Sequence, residues 1–510
     1  MTSSQPSDQS KQVSRRQFLG GLSTLAVAGG FAEDLTPQVA LGRQTVDQPS
    51  KAAWRQLKAS LSGPLLQSDS FDLSKFAKPY NLRYAAELPD GIALCRNVED
   101  VVTAVNWCRE NRFPLVVQSG GHSYAGYSMR KHGLMINLLL MRDAHCSNGT
   151  VRLGGGARNH ALYLALQQNG LAITHGRCAT VGAAGFLLGG GIGFNMRAYG
   201  LGCDRLLASE IVTADGRVRT ITADADELES DLFWACRGGG GNFGIHTSFT
   251  LNAFEARPVT VFDLTWQGAH QSSRLVFARL MRALDAGPIE LGTRISLKAP
   301  SPGDRTRGAD VTINLLGQLH AASAKTLDQI LADAYAVAVP QQSMVWSNVK
   351  YWDAQKLLEE VDAPTYFQER SAFLSSNLDD EGLDLAFTYL RAWPGTSGGA
   401  DLRFFQTGGK MNELASGATA FAHRSSRWIL DVGLNWGPED PHDVVARSRD
   451  WQDRFYGAMR PFSTGGAYQN FADPSLRDWR TAYYGDNLDR LQRIKKLIDP
   501  DRMLTFPQAL

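Results

Sequence analysis

The sequence is short of the features that mark a nucleic-acid binder, a metalloprotein or a hydrolase. Neither sign of charge dominates: 52 lysines and arginines are mixed with 51 aspartates and glutamates, for a net charge of +1. That balance leaves no basic surface for a phosphate backbone or an anionic bilayer. Cysteine is sparse: Cys95, Cys108, Cys146, Cys178, Cys203 and Cys236 are the whole set. No Cys-x-x-Cys or Cys/His spacing offers zinc or an iron–sulfur cluster a site. There is no GxSxG elbow, no HExxH and no Walker lysine loop, which removes the usual signatures of serine esterases, zinc proteases and P-loop enzymes. Internal repeats are absent as well. At 510 residues the chain is long enough for a large core and more than one domain.

The N-terminus reads as a targeting segment. Ser14-Arg15-Arg16-Gln17-Phe18-Leu19 precedes a mildly apolar, Gly/Ala-rich run to about Ala32. This pattern is that of a twin-arginine export signal, with Ala26-Val27-Ala28 as one cleavage candidate. The run is too short and too glycine-rich for a stable membrane anchor. Twin-arginine machinery moves folded proteins, so a cofactor would be loaded before export to a bacterial periplasm or the medium.

What the sequence has in quantity is glycine, 50 residues, packed into a few stretches. The densest, Gly176 to Gly193, reads GRCATVGAAGFLLGGGIG and holds one cysteine, Cys178. An earlier stretch, SGGHSYAGYS from Ser119 to Ser128, holds one histidine, His122. Glycine lets backbone approach a ligand closely and present its N–H groups. Two such loops, each carrying one nucleophile, suggest a phosphate-bearing cofactor cradled by backbone and tethered at His122 and Cys178. If Cys178 is committed, five cysteines remain and at least one stays unpaired; buried free cysteine usually acts as a small core residue.

The chain around these loops reads as α+β. Gly91–Cys95 is a strand; Asn97 caps a helix whose Val98, Val101, Val102 and Val105 share a face. Pro114–Val117 is a short buried strand that feeds the His122 loop. Leu134–Leu138 and Thr150–Leu153 are strands, and a helix covers Asn159 to Asn169. Asp215-Gly216 makes a tight turn between strands. Past Pro258 the composition changes, and strands at 260–266, 293–297 and 311–315 alternate with helices near 273–284 and 322–334. The strand 427–436 alternates cleanly: Leu430, Val432 and Leu434 on one face, Ile429, Asp431, Gly433 and Asn435 on the other. One face packs on helices and the other looks into a site.

Gly239-Gly-Gly-Asn-Phe-Gly244 fits GxGxxG in letters only. A strand follows it instead of a helix, and no acidic residue stands at the ribose distance, so it is read as a tight turn rather than a nicotinamide-dinucleotide motif.

The runs SGGHSYAGYS, GRCATVGAAGFLLGGGIG, RAYGLGCD, LFWACRGGGGNFGIHT, TAFAHR, GAYQN and YYGDN, in this order, resemble those of the berberine-bridge-enzyme-like flavoproteins of the vanillyl-alcohol-oxidase type. The resemblance implies a PCMH-type FAD-binding domain over 46–255, in two subdomains of about 46–140 and 141–255. It further implies an α+β substrate domain with a large antiparallel sheet over 256–470, and a C-terminal segment, 471–510, returning to the FAD domain. Residues 1–45 form the signal and linker. By the same resemblance, His122 bonds the flavin 8α carbon and Cys178 its C6. Ser119, Gly120, Gly121, Ser123 and Gly126 hold the pyrophosphate. Thr180, Val181, Gly182 and Gly185 line the flavin edge; Ile245 lies toward the adenine; Asn470 and Asn487 stand near the cofactor. Val181 matches a position where oxidases of the family carry valine.

One departure matters. Where many alcohol-oxidising members place a tyrosine base in a Tyr-x-Asn-Tyr run, this chain reads Tyr468-Gln469-Asn470-Phe471. Phe471 takes no proton. Asp431 is the replacement expected, because burial raises a carboxyl toward a useful range. Tyr124 is expected to face the substrate side of the flavin, with Tyr468, Gln406 and Asn435 as lesser candidates. The reading is an exported FAD oxidoreductase, an oxidase that takes a hydride from an alcohol, sugar or amine carbon and reduces O2 to peroxide. A dehydrogenase passing electrons to a quinone or protein, and a flavin-loaded binding protein, are the rivals.

Overall fold

The computed structural model describes residues 48–510, apart from 68–69, 71, 268–271 and 361–362. The twin-arginine run and the cleavage candidate lie outside the described residues. Among the described residues no helix is long and apolar enough to cross a membrane.

Three main sheets organise the chain. The first has four strands in the order Leu65–Gln67, Gly91–Leu94, Leu134–Asn137, Leu115–Gln118, the last three mutually parallel. Its helix, Val98–Glu110, starts where Asn97 accepts the Asp100 N–H at 2.9 Å. The buried Asp100 carboxylate accepts N–H groups from Ser62, Gly63 and Arg96 in turn, which ties the preceding segment to the helix. The His122 loop leaves the C-terminal end of Leu115–Gln118.

The second sheet is antiparallel, in the order Ala144–Ser147, Thr150–Gly154, Ile245–Asn252, Leu206–Val212, Val218–Thr222. Its core also takes in the apolar side of Ala183–Leu188, the helix that follows Cys178, and of Leu488–Ile498 near the C-terminus. Buried Lys495 fixes that last helix by donating to the Asn242 and Leu504 carbonyls and to Asp499.

The third sheet is the large one. Seven antiparallel strands run in the order Gln342–Val349, Val259–Trp266, Thr312–His320, Leu291–Lys298, Gly399–Gln406, Trp428–Trp436, Tyr366–Leu374. One face carries Phe262, Leu264, Ile295, Leu402, Phe404, Leu430, Val432 and Leu434, all essentially without solvent contact. Helices Ser272–Asp285, Ala324–Tyr335, Asp380–Arg391 and His442–Met459 bury their apolar stripes against it. Removing this much apolar area from water is what holds the layer together. The opposite face is polar. Register puts Glu369 and Asp401 directly across from Gly433, and Arg403 directly across from Asp431. The architecture is thus α+β with a large antiparallel sheet, as the resemblance implies.

Candidate active site

The two glycine loops meet backbone to backbone. A Cβ on Gly120 would stand 2.2 Å from the Gly182 nitrogen, and one on Gly182 would stand 2.4 Å from the Gly120 nitrogen. No other residue type permits that approach. Gly121, at φ +76°, turns the chain where a Cβ would also meet the Lys78 carbonyl at 2.7 Å. The Ser119 hydroxyl donates to the Gly155 carbonyl at 2.7 Å. His122 Nε2 is hydrogen-bonded to Thr180 Oγ1 at 2.7 Å, and Tyr80 stacks on the imidazole at 4.1 Å. The His122 loop and the Cys178 loop are therefore locked together. Gly182→Ala is expected to cost at least about 1–3 kcal/mol of stability, because the obstructing atoms are backbone and cannot step aside. It should also lower the flavin carried per mole of protein; thermal unfolding and the ratio of visible to ultraviolet absorbance check both.

The rest of the glycine-dense stretch is held from the other side. A Cβ on Gly189 would lie 2.0 Å from Asn470 Oδ1. Asn470 donates to the Phe186 carbonyl and to the Tyr468 phenol oxygen, both at 3.1 Å. That oxygen also accepts the N–H groups of Gly191 and Ile192. Burial pushes the Tyr468 phenol up to about 12. Tyr468 is thus a clamp on the glycine stretch, not an acid or base near neutrality. Gln406 is committed in the same way, donating to the Leu284 carbonyl and accepting from Thr293.

Both loops and the polar face of the large sheet line one cavity of about 800 Å³. That is near the upper end for small-molecule sites. Of the residues expected at a cofactor, Ser119, Gly120, Gly121, His122, Ser123, Cys178, Val181, Gly182, Gly185, Ile245 and Asn470 border it, as do Tyr124, Tyr468 and Asn435. Three expectations need correction. Gly126 faces away: its Cα packs on the Tyr84 ring, which a Cβ would meet at 2.3 Å. Asn487 spends its amide on the carbonyls of Ser416, Thr419 and Ala420, outside this cavity. Thr180 acts through His122 and does not border the cavity itself.

Asp431 is corrected too. It lies on the polar face as expected, but it is wholly buried and does not border the cavity. The groups that do are Glu369, Asp401 and Arg403. Arg403 donates through one nitrogen to both oxygens of Glu369, stands 3.2 Å from Asp401 and 3.3 Å from Asp431. Burial by itself lowers the Arg403 guanidinium, but Asp401, Glu369 and Asp431 outweigh it and hold the charge firmly. Asp431 is raised well above the ordinary carboxylate range, first by burial and then by the neighbouring Glu369. Gly433 makes the room: a Cβ there would sit 2.3 Å from Arg403 and 2.4 Å from Asp401.

A second charged group stands beside Cys178. The thiol is 3.5 Å from Glu360 Oε2, and Glu360 is held by Arg177 at 2.7 Å and Arg294 at 3.1 Å. Burial pushes Glu360 up, but Arg177 and Arg294 prevail and set it at about 2. Arg294 falls to about 10 through burial and the adjacent Arg177. Tyr124 completes the wall. It stacks flat on Phe471, with ring centres 5.1 Å apart, and meets Phe367 edge-on. Burial, then Glu369, raises its phenol far above the ordinary value. Glu369, Asp401, Arg403, Arg294 and Glu360 were not singled out from sequence. For Glu369, Asp401 and Arg403 the one signal was Asp431's strand, with which their strands pair; Arg294, one strand further, and Glu360, outside the sheet, had none.

The site fits a flavin dinucleotide on its own evidence. Its volume suffices, its two loops offer backbone where side chains would collide, and an imidazole and a thiol border the same space.

Comparison with known proteins agrees. A family model described as FAD binding domain matches residues 89–222, and one described as berberine and berberine like matches 467–510. The carbohydrate oxidase of Microdochium nivale is 29% identical, over 92% of this chain and 98% of its own. The glucooligosaccharide oxidase of Sarocladium strictum is 28% identical, over 88% and 94%. Among solved structures, Physcomitrella patens BBE-like 1 superposes with a TM-score of 0.79 at 26% identity, covering 89% of this chain and 98% of that one. Xylooligosaccharide oxidase from Myceliophthora thermophila C1, in complex with xylobiose, gives 0.77 at 26%, covering 90% and 98%. A glucooligosaccharide oxidase from Acremonium strictum, described with 6-S-cysteinyl, 8α-N1-histidyl FAD, gives 0.78 at 25%, covering 88% and 97%.

Proposed function

We propose, on the premise that this chain belongs to the berberine-bridge-enzyme-like FAD-linked oxidoreductases, that it is an oxidase of sugars or alcohols with a doubly attached flavin. The observation that carries the reading is the meeting of the His122 and Cys178 loops at a cavity that the charged, hydrogen-bonding residues of the large sheet also line. The named oxidases of carbohydrates among its relatives support the substrate class.

Bound there, the flavin would accept a hydride from the substrate carbon and pass the electrons to O2. The chain's own work is placement and proton handling. Backbone N–H groups of the Ser119–Ser123 loop would hold the pyrophosphate. His122, oriented by Thr180, and Cys178 would supply the two attachments. Val181 borders the cavity as a small side chain, which favours access of O2. Tyr124 and Asn435, which both border the cavity, would orient a substrate hydroxyl. Residues 46–255 and 471–510 are assigned to cofactor binding and 256–470 to the substrate. Export by the twin-arginine route is part of the proposal, resting on Ser14 to Leu19.

An anaerobic screen of mono- and oligosaccharides, simple alcohols and amines tests the reading. A substrate is expected to bleach the visible flavin band, and admitting air is expected to restore it with one peroxide per turnover. Bleaching without reoxidation by air would mark a dehydrogenase. A flavin untouched by the whole panel would sink the oxidase reading.

A further inference from the structure

We propose that Glu369, not Asp431, takes the substrate's hydroxyl proton, with Asp431 and Arg403 as positioning residues that act through it. This rests on the oxidase reading above and names its missing base.

A base must touch the proton it removes. Asp431 has no solvent-accessible surface and does not border the cavity; Glu369 borders it and remains 6% exposed. Phe471, where a tyrosine base is expected, offers only a ring face, and that face is covered by Tyr124. Tyr468 has its oxygen filled by three N–H donors. Three carboxylates border the cavity: Glu360 is spent on Arg177, Arg294 and the Cys178 thiol, Asp401 has a single 3.2 Å contact with Arg403, and Glu369 is held in one orientation with both oxygens on Arg403.

The surrounding charges suit that task. Glu369, Asp401 and Asp431 share the single guanidinium of Arg403. Three ionised carboxylates around one cation would leave an uncompensated buried charge, which is costly. Asp431 is the member that keeps its proton. Neither of its oxygens receives a hydrogen bond from an N–H or O–H group, and its contact with Glu369 is a hydrogen bond only if one of the two is protonated. As a neutral acid Asp431 donates to Glu369 and holds it toward the cavity. The local set is then Arg403⁺, Glu369⁻ and Asp401⁻, one negative charge in excess, and uptake of one proton by Glu369 neutralises it. Arg294, on the adjacent strand, spends its charge on Glu360, which Arg177 shares. Lys298, opposite Asp401 in register, borders the cavity further along the strand, and the Tyr124 phenol is neutral. Gly433 is what admits the set, since any Cβ would occupy the guanidinium's place.

The chemistry balances. The substrate O–H bond breaks and its proton goes to Glu369. The C–H bond breaks and its hydride goes to the oxidant of the proposed reaction. The carbon–oxygen bond becomes a carbonyl, a lactone where the carbon is a sugar hemiacetal.

The test is rapid-mixing anaerobic reduction of the holoenzyme across pH 5–9, with glucose, cellobiose and xylobiose as probes. Glu369→Gln is expected to slow reduction by about 10²-fold or more and to abolish the acidic limb of the profile. Asp431→Asn keeps an N–H donor at the same point and should stay within about tenfold of wild type, with the limb intact. Glu369→Asp should be slow but keep the limb. It also serves if Glu369→Gln fails to load flavin, since a missing limb in Glu369→Asp would refute the proposal. So would Glu369→Gln within tenfold of wild type, or Asp431→Asn falling as far as Glu369→Gln. Wild-type enzyme inert to the whole panel of sugars, alcohols and amines refutes the oxidase reading instead, and is recognised before any variant is made; if only a non-sugar reduces it, that substrate replaces the sugar probes.

Discussion

Replacing His122 and Cys178 together with alanine is expected to take covalently bound flavin from full occupancy to none, while either single replacement leaves the flavin attached at the other side chain. The two loops that carry them touch at Gly120 and Gly182, and Thr180 of one loop orients the imidazole of the other. The two side chains are thus placed by one rigid unit, and removing one attachment leaves the other loop where it was. The backbone cradle also survives in the double variant, so the protein should still bind flavin, but reversibly. Acid precipitation separates the cases: yellow pellet for wild type and both single variants, yellow supernatant for the double. Peptide mapping should find the flavin mass on the His122 peptide of Cys178→Ala and on the Cys178 peptide of His122→Ala. A wild-type pellet without flavin would end the attachment model. The charged neighbour of Cys178 adds a condition. Glu360 accepts from the thiol at 3.5 Å, and that hydrogen bond must be given up before the sulfur can bond the flavin. Attachment at Cys178 is therefore expected to lag behind attachment at His122 when flavin is added to the apoprotein.

Much of this site was legible because its signals are local. A glycine that cannot bear a Cβ stays glycine, so the loops at Ser119–Ser128 and Gly176–Gly193 announce themselves in the letters. The clean alternation of Leu430, Val432 and Leu434 against Asp431, Gly433 and Asn435 fixed both faces of that strand, because a pleated strand has period two. What stayed hidden is non-local. The strand Tyr366–Leu374, YFQERSAFL, carries Gln368, Glu369 and Arg370 in a row, and no element is read there from the letters. Both its faces are in fact buried, and each mixes charge with apolar side chains: Phe367, Glu369 and Phe373 on one, Arg370, Ala372 and Leu374 on the other. Glu369 meets Arg403, while Arg370, on the other side, is bound by Asp473 and Asp453. Only partners far away in sequence make those charges tolerable in a strand, and no window of ten residues contains them. Asp431 illustrates the same limit. Alternation placed it on the correct face, but whether it touches the cavity depends on Arg403, on the neighbouring strand, lying over it. Asn487 was misplaced for a related reason: its amide is taken by three carbonyls of the 416–420 segment, which sequence spacing cannot bring near.

Loss of Arg403 should destabilise the large sheet. In Arg403→Ala the buried carboxyls of Glu369, Asp401 and Asp431 lose their common cation. Removing one partner of a buried ionic cluster typically costs about 3–5 kcal/mol, because the remaining charge is left uncompensated. The deficit should depend on pH in a definite direction. Asp431 already has a folded-state pKa above its unfolded one, through burial and then Glu369, and without the guanidinium nothing offsets either cause. A group of that kind contributes stability that is fully present below the unfolded pKa, about 4, and is lost as pH rises through the folded value. Arg403→Ala should therefore be close to wild type near pH 4.5 and fall progressively behind it toward pH 8. Arg403→Lys, which keeps the charge but not the two-oxygen grip on Glu369, should recover part of the loss and little of the rate of flavin reduction. Thermal and denaturant unfolding of the three proteins across that range measure the difference. A deficit that is the same at both ends of the range would mean that packing against the guanidinium, and not its charge, holds this face of the sheet together.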